Sequence, residues 1–192
     1  MAKQQERSES TKSQLLKAFR TSFLKRGFEE TTTQYVLEKT GLSKGAMYHH
    51  FRSKIEIVEA LYADETRRAI TRALQSVDKN ASPLVQLKGA YLAWMQEVRA
   101  LNVSKVLFEI GPSALGPQKA KDIEDSISLK HIEAFLEQAI AAGDLAAHDP
   151  KLIAAFLNAL VAEAALYSLR TGNDPIDALS QAIDGMLNGL RP

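Results

Sequence analysis

Apolar residues recur every three or four positions along nearly all of this 192-residue chain, and no stretch sustains the alternation of a half-buried strand. That pattern predicts an all-α protein. Leu15, Leu16, Phe19 and Phe23 form a stripe that ends at Gly27, a residue suited to the left-handed conformation in which helices often stop. A short second helix is expected from the threonines at 31–33 to Lys39, with Thr31 and Gln34 at capping-box spacing and Gly41 as its stop. A third short helix follows from Ser43 to about His50. From Ser53 a long fourth helix carries Val58, Leu61, Tyr62, Ala69, Ala73, Leu74 and Val77 on one face. Its ~25 residues would span roughly 38 Å, enough to join two domains.

Proline punctuates the rest. Ser82-Pro83, Asp149-Pro150 and Asp174-Pro175 each pair a capping residue with a proline, which suits the first helical position because that N–H has no helical partner. The first of these helices should run to about Leu101 with Leu84, Leu87, Tyr91, Trp94, Met95 and Val98 inward. A short helix over Val103 to Ile110 is expected to break at Gly111-Pro112, and Gly116-Pro117 marks a loop before a helix from about Gln118 to Ala142. Between Leu152 and Leu169 the apolar residues cover more than one face, so that helix should be buried on several sides. The last helix presents Ile176, Leu179, Ile183, Met186, Leu187 and Leu190. This final pair either completes the core of one chain or builds an interface between two copies.

Composition narrows the class. Hydrophobic residues make up 45% and charged residues 24%, as in folded globular proteins, and the absence of cysteine excludes disulfides and thiolate metal sites. The first ten residues hold no apolar leader, and no run of about 18 uncharged apolar residues follows, so a cytoplasmic protein without a membrane partner is expected. The net charge of +1 hides an asymmetry: residues 1–54 hold 11 Lys and Arg against 5 Asp and Glu, while residues 55–192 hold 13 against 18. A basic head on an acidic body suggests that only the head meets a polyanion.

The segment GFEETTTQYVLEKTGLSKGAMYHHFRSK, from Gly27 to Lys54, contains two short helices joined by a tight turn at Gly41-Leu42-Ser43, then an aromatic and basic helix end. In such a unit the second helix enters the major groove while flanking donors fix its register on phosphates. Lys donates to guanine O6 and N7, and Gln pairs bidentately with adenine.

Over about 50 residues this stretch resembles the DNA-binding domain of the tetracycline-repressor (TetR) family. The resemblance is carried by the Gly-aromatic end of the first helix, the threonine pair, Gly41 with Ser43 in the turn, Gly45, Tyr48, Phe51 and the closing Ser53-Lys54. It implies phosphate contacts from Thr33, Tyr48 and Lys54, base reading by Gln34, Lys44 and His49, close backbone approach at Gly45, a cap from Ser43, and Tyr35 in the same interface. Leu37 and Thr40 stand where the family often has alanine, and Ile55 where an acidic residue is usual. The implied architecture is a helix-turn-helix DNA-binding domain over 1–54, joined by a long helix to a helical effector-binding and dimerisation domain over 55–192. The implied partners are double-stranded operator DNA, a small-molecule effector and a second copy of the chain. The candidate effector wall comprises Tyr62, Tyr91, Trp94, Met95, Phe108, Phe156, Glu163 and Tyr167. The candidate dimer contacts are Leu157, Leu160, Leu179, Ile183 and Met186.

Other chemistry finds little support. Adjacent His49 and His50 point about 100° apart on a helix and cannot readily share a metal, and HExxH, GxSxG and Gly-rich phosphate loops are missing from the sequence. No cofactor is expected, and an enzyme would need a convergent set of acid, base or nucleophile that is not visible. Glu163 sits inside an apolar helix, where it is either a polar group of a pocket or an exposed or dimer-edge residue. A DNA-binding architectural protein without effector is the rival, and a body core closed and filled by side chains would favour it.

Overall fold

The computed structural model describes residues 2–192, with the backbone alone for residues 2–5 and for Leu101. Among the described residues there are helices and no strands: α1 (Ala2–Glu30), α2 (Thr33–Thr40), α3 (Lys44–His50), α4 (Lys54–Gln75), α5 (Pro83–Val98), α6 (Leu101–Ser104), α7 (Gly111–Leu115), α8 (Pro117–Ala141), α9 (Pro150–Thr171) and α10 (Ile176–Asn188). By compactness the chain divides into a head, up to Glu65 together with Lys105–Lys121, and a body, Thr66–Ser104 together with Asp122–Pro192. This boundary differs from the division at residue 54 expected from the motif.

The head is organised by the stripe on α1. Leu15, Phe19 and Phe23 are buried with Val36 of α2, Met47 of α3, Phe51, Ile57, Val58 and Leu61 of α4, and Val106 and Ile110. Gly27 leaves the helical region at φ 79°, so the regular part of α1 ends where the stripe does. Two features depart from expectation. The cap of α2 is Thr32, whose hydroxyl accepts from the Tyr35 N–H at 3.2 Å, whereas buried Thr31 turns its hydroxyl back to the Gly27 carbonyl at 2.7 Å. The residue three beyond the true cap is therefore Tyr35, which has no carboxylate or amide to complete a capping box.

Gly111-Pro112 does not break its helix either. Lys105–Ile110 forms a wider π-helical turn that runs directly into α7. Pro112 follows this wider turn closely and contributes no N–H to the hydrogen-bond ladder. Gly111 is required because the Tyr62 ring lies against it: a Cβ there would stand 2.2 Å from Tyr62 Cδ2. Lys105 ties this segment to α1 through the Leu24 carbonyl, at 3.0 Å.

In the body, α5, α9 and α10 pack on one another, and Leu87, Met95, Leu136, Leu157, Val161, Leu179 and Ile183 are buried. Asp149 caps α9 by accepting from the Lys151 N–H at 3.0 Å. Asp174 accepts from the Ile176 N–H at 3.1 Å, which places the start of α10 one residue after Pro175. α9 is long and apolar enough by length and composition to cross a membrane, with mean hydropathy 1.8 over its most apolar window. Its apolar residues are divided between two sides. Leu157 is fully buried while its neighbour Phe156 is 52% exposed, so the helix serves the body core on one face and leaves the other uncovered.

Candidate nucleic-acid interface and a cavity in the body

The turn between α2 and α3 follows from two residues. Gly41 adopts φ 68° and returns its N–H to the Leu37 carbonyl at 3.0 Å, a left-handed cap that glycine adopts without strain. Ser43 is extended, and its hydroxyl accepts from the Ala46 N–H at 3.0 Å, which starts α3. With Met47 buried against the head core, helical geometry sends Gly45 and His49 to the opposite face and Lys44 and Tyr48 to its flank. All four are exposed. Lys44 lies over the Tyr48 ring at 5.9 Å, and His49 meets His50 edge to face at 5.0 Å between centroids. Half-buried His50 has its pKa lowered by burial first and by His49 next.

Gly45 carries more information than its size suggests. Its backbone is helical, and a Cβ there would meet nothing nearer than Ser43 Oγ at 3.9 Å. The fold of the chain therefore has no need for glycine at that place, and the bare spot flattens the outward face of α3.

Flanking groups complete the surface. Thr33 begins α2 and is half-buried, while exposed Gln34 donates from Nε2 to Glu38 Oε1 at 2.9 Å. Lys54 begins α4, with Nζ donating to the Phe28 carbonyl at 2.9 Å and lying 4.0 Å over the Phe28 ring. An ammonium has three N–H donors, so this anchorage fixes the charge without using it up. Tyr35 is clamped between Arg26 at 4.4 Å and Lys39 at 4.9 Å, and hydrogen bonds from Lys39 and then Arg26 hold its phenol below the usual tyrosine value. Those two cations, with Lys17 and Lys25, line an open groove between α1 and α2. That concentration of positive charge was not legible from the helix-turn-helix motif, because it depends on which faces of α1 and α2 meet.

The body contains a narrow, mostly apolar cavity of about 60 Å³ that opens to solvent. Of the eight side chains expected to form an effector wall, Tyr91 and Trp94 line it. The other six lie elsewhere. Tyr62 packs on Gly111 in the head and Phe108 falls in the π-helical turn of the head; Met95 is buried in the body core and does not line the cavity. Phe156 and Tyr167 are exposed, and Glu163 is an exposed partner of Arg170 at 2.6 Å, on the outer face of α9. Sequence reasoning missed Ser128, His131, Phe135 and Asn158, which also line it. Asn158 offered a signal: like Glu163 it interrupts the apolar run of α9, and it is the interruption that faces inward.

Three of the five expected dimer contacts also face inward. Leu157, Leu179 and Ile183 are buried within the chain's own body, where α9 and α10 pack on each other. Leu160 and Met186 stay half-exposed. Leu160 lines a shallow groove with Ala164, Tyr167, Ala178 and Ala182 between α9 and α10.

The chain is thus all-α, with a basic head that turns α3 outward after a tight turn and a helical body that holds a narrow cavity. Residues 15–61 match the family of bacterial regulatory proteins of the tetR type, and residues 85–190 match the tetracyclin repressor-like C-terminal domain. The chain belongs to the TetR family. It is 30% identical over 100 residues to the HTH-type transcriptional repressor KstR2 of Mycolicibacterium smegmatis, covering 52% of this chain and 49% of that protein. It is 37% identical over 76 residues to the HTH-type transcriptional regulator TtgR of Pseudomonas putida, covering 38% and 36%. The chain thus spans about half the length, or less, of the curated relatives it matches. Among solved structures, a TetR-family regulator from Rhodococcus sp. superposes with TM-score 0.74 at 22% identity, over 96% of this chain and all of that one. RolR, solved with resorcinol, gives TM-score 0.74 at 16% identity over 96% and 89%. Both show the shared fold.

Proposed function

We propose that this protein is a transcriptional repressor that binds a near-palindromic operator as a homodimer in the cytoplasm and is released by a small molecule held in the body cavity. The observation that carries the DNA-binding half is the outward face of α3, where Lys44, Tyr48 and His49 surround a glycine that the protein's own fold does not require. Bare backbone at Gly45 lets a base edge come close, with Lys44 and His49 reading bases beside it and Gln34 reaching from α2 once it leaves Glu38. Thr33, Tyr48, Ser43 and Lys54 act on phosphates and set the register. Tyr35 acts through its two cations, which add phosphate attraction at the edge of the same surface.

The uncovered face of α9 supports the dimer. Phe156 and Tyr167 are exposed there, with Tyr167 beside small residues of α10, and a second copy presenting the same face would bury them both by symmetry. A dimer would offer two α3 helices to half-sites one helical turn apart, about 34–36 Å. A ligand that favours a different separation then lowers operator affinity, by as much as its differential affinity for the two states allows. The presence of a cavity in place of a filled body supports an effector over a purely architectural role, and RolR gives a precedent for a small aromatic ligand in a chain of this fold.

The test is binding of the purified protein to fragments flanking its own gene, by fluorescence anisotropy across a salt series. Lys44→Ala and His49→Ala are expected to lose about 1–3 kcal/mol of discrimination at single base pairs. Lys54→Ala is expected to weaken every sequence and reduce the salt slope by about one unit. An affinity that no fragment and no salt concentration changes would remove the proposal.

A further inference from the structure

The open groove between α1 and α2 in the head gathers positive charge without an answering negative one. Lys17, Thr21 and Lys25 of α1 recur at four-residue spacing and share one helical face, across from Tyr35 and Lys39 of α2, with Arg26 beside them. Among the described residues that line the groove there is no carboxylate. Arg26 and Lys39 lie against the neutral Tyr35 side chain, and Lys17 and Lys25 have no ion-pair partner among the described residues. A guanidinium has five N–H donors and an ammonium three, so all four cations keep donors to spare.

Ser22 lies in the same groove. It is only 8% exposed, and its hydroxyl has no hydrogen-bond partner among the described residues. The neighbouring Thr21 and Thr40 hydroxyls turn back to the Lys17 and Val36 carbonyls, at 2.9 and 3.0 Å. The Ser22 oxygen is not sealed off, since among the described residues the Thr66 hydroxyl alone is both unpartnered and fully enclosed. A hydroxyl buried to this degree ordinarily has a partner, and here the partner has to arrive through the groove.

We infer that the α1–α2 groove binds a compact polyanion, pyrophosphate or the diphosphate end of a small molecule. Its oxygens accept from Ser22 at the floor and from Lys17, Lys25, Arg26 and Lys39 around the rim, in charge-assisted hydrogen bonds. Four cations without a counter-charge match several negative charges better than the single one of a carboxylate. A small anion is narrow enough to enter between the two helices and reach Ser22. The backbone of a duplex is broader and meets the rim cations alone.

The full chain is titrated by calorimetry, at low ionic strength to limit screening, with pyrophosphate, ADP and inorganic phosphate. Pyrophosphate is expected to saturate one site per chain below about 1 mM, with inorganic phosphate about tenfold weaker or more. ADP binding as pyrophosphate does identifies the diphosphate end of a nucleotide as sufficient, and ADP left out assigns the free anion; either upholds the site. Ser22→Ala should lower pyrophosphate affinity about tenfold while leaving thermal unfolding and affinity for a duplex fragment unchanged, because its hydroxyl has no protein partner to lose. Lys17→Ala with Lys25→Ala should cost about tenfold as well, and Arg7→Ala, outside the groove, less than about twofold. Absence of saturable heat below about 10 mM, or an equal loss from Arg7→Ala, reduces the groove to diffuse attraction and overturns the site. A duplex fragment that loses as much affinity as pyrophosphate on Ser22→Ala assigns the groove to DNA and overturns the small-anion ligand. If Ser22→Ala does not fold, the variants of the two exposed, unpaired lysines decide.

Discussion

The head and the body solve opposite packing problems. In the head, three aliphatic and aromatic residues of α1 meet α2, α3 and α4 in a filled core, and Lys44, Tyr48 and His49 of α3 are turned outward. The body buries a comparable set of side chains, yet it keeps a cavity beside Tyr91 and Trp94 and leaves half of α9 uncovered. A filled core holds a surface in one shape, which suits reading a fixed partner. An interior with space and an uncovered apolar face suits partners that come and go or that complete the fold from outside. The contrast assigns rigidity to the reading surface and adaptability to the body.

The strongest way to break this contrast is to hollow out the head. Phe19→Ala removes a fully buried ring and is expected to cost about 3–5 kcal/mol in a denaturant titration, with operator binding lost as the head loosens. A loss below about 1 kcal/mol would mean that the head core is not tightly filled. Gly111→Ala tests filling from the other direction, since its Cβ must displace the Tyr62 ring. About 1–3 kcal/mol of destabilisation is expected, and Tyr62→Leu in the same chain should restore part of it. If the double variant is no better than the single one, the ring is not what requires glycine there.

Smaller effects sharpen the account of the body. Tyr91→Phe deletes one hydrogen bond to Asn158, and the expected cost is about 0.5–1.5 kcal/mol in thermal unfolding. A gain in stability would show that the bond is strained or unimportant. Phe156→Ser should leave the helical signal of the folded chain almost unchanged, within about 0.5 kcal/mol for the protomer, because the side chain is half out of its own fold. Its effect is expected in sedimentation, as weaker self-association. Unaltered association would place the dimer contact elsewhere.

Much of the head was legible because its signals are local. Gly41 and Ser43 each act on backbone groups within four residues, so turn, cap and outward face of α3 follow from adjacent letters. The capping of α2 shows the limit: three threonines in a row offer three caps, and Thr32 took the role only because Thr31 is drawn into the interior. Gly111-Pro112 shows another. The pair reads as a break, but the glycine is demanded by a ring from α4, and a wider turn ahead of the proline leads straight into α7.

The chain's own letters determined that it is helical, that a compact basic unit precedes a larger acidic one, and that the unit around Gly41 presents Lys44, Tyr48 and His49 together. Tertiary structure alone decided that Asn158 rather than Glu163 faces the cavity, and that Leu157, Leu179 and Ile183 belong to the protomer's core while Phe156 and Tyr167 remain outside. The reason is physical: periodicity records that a helix has apolar faces, but which neighbour covers each face depends on crossing angles and side-chain volumes contributed by residues far away in sequence.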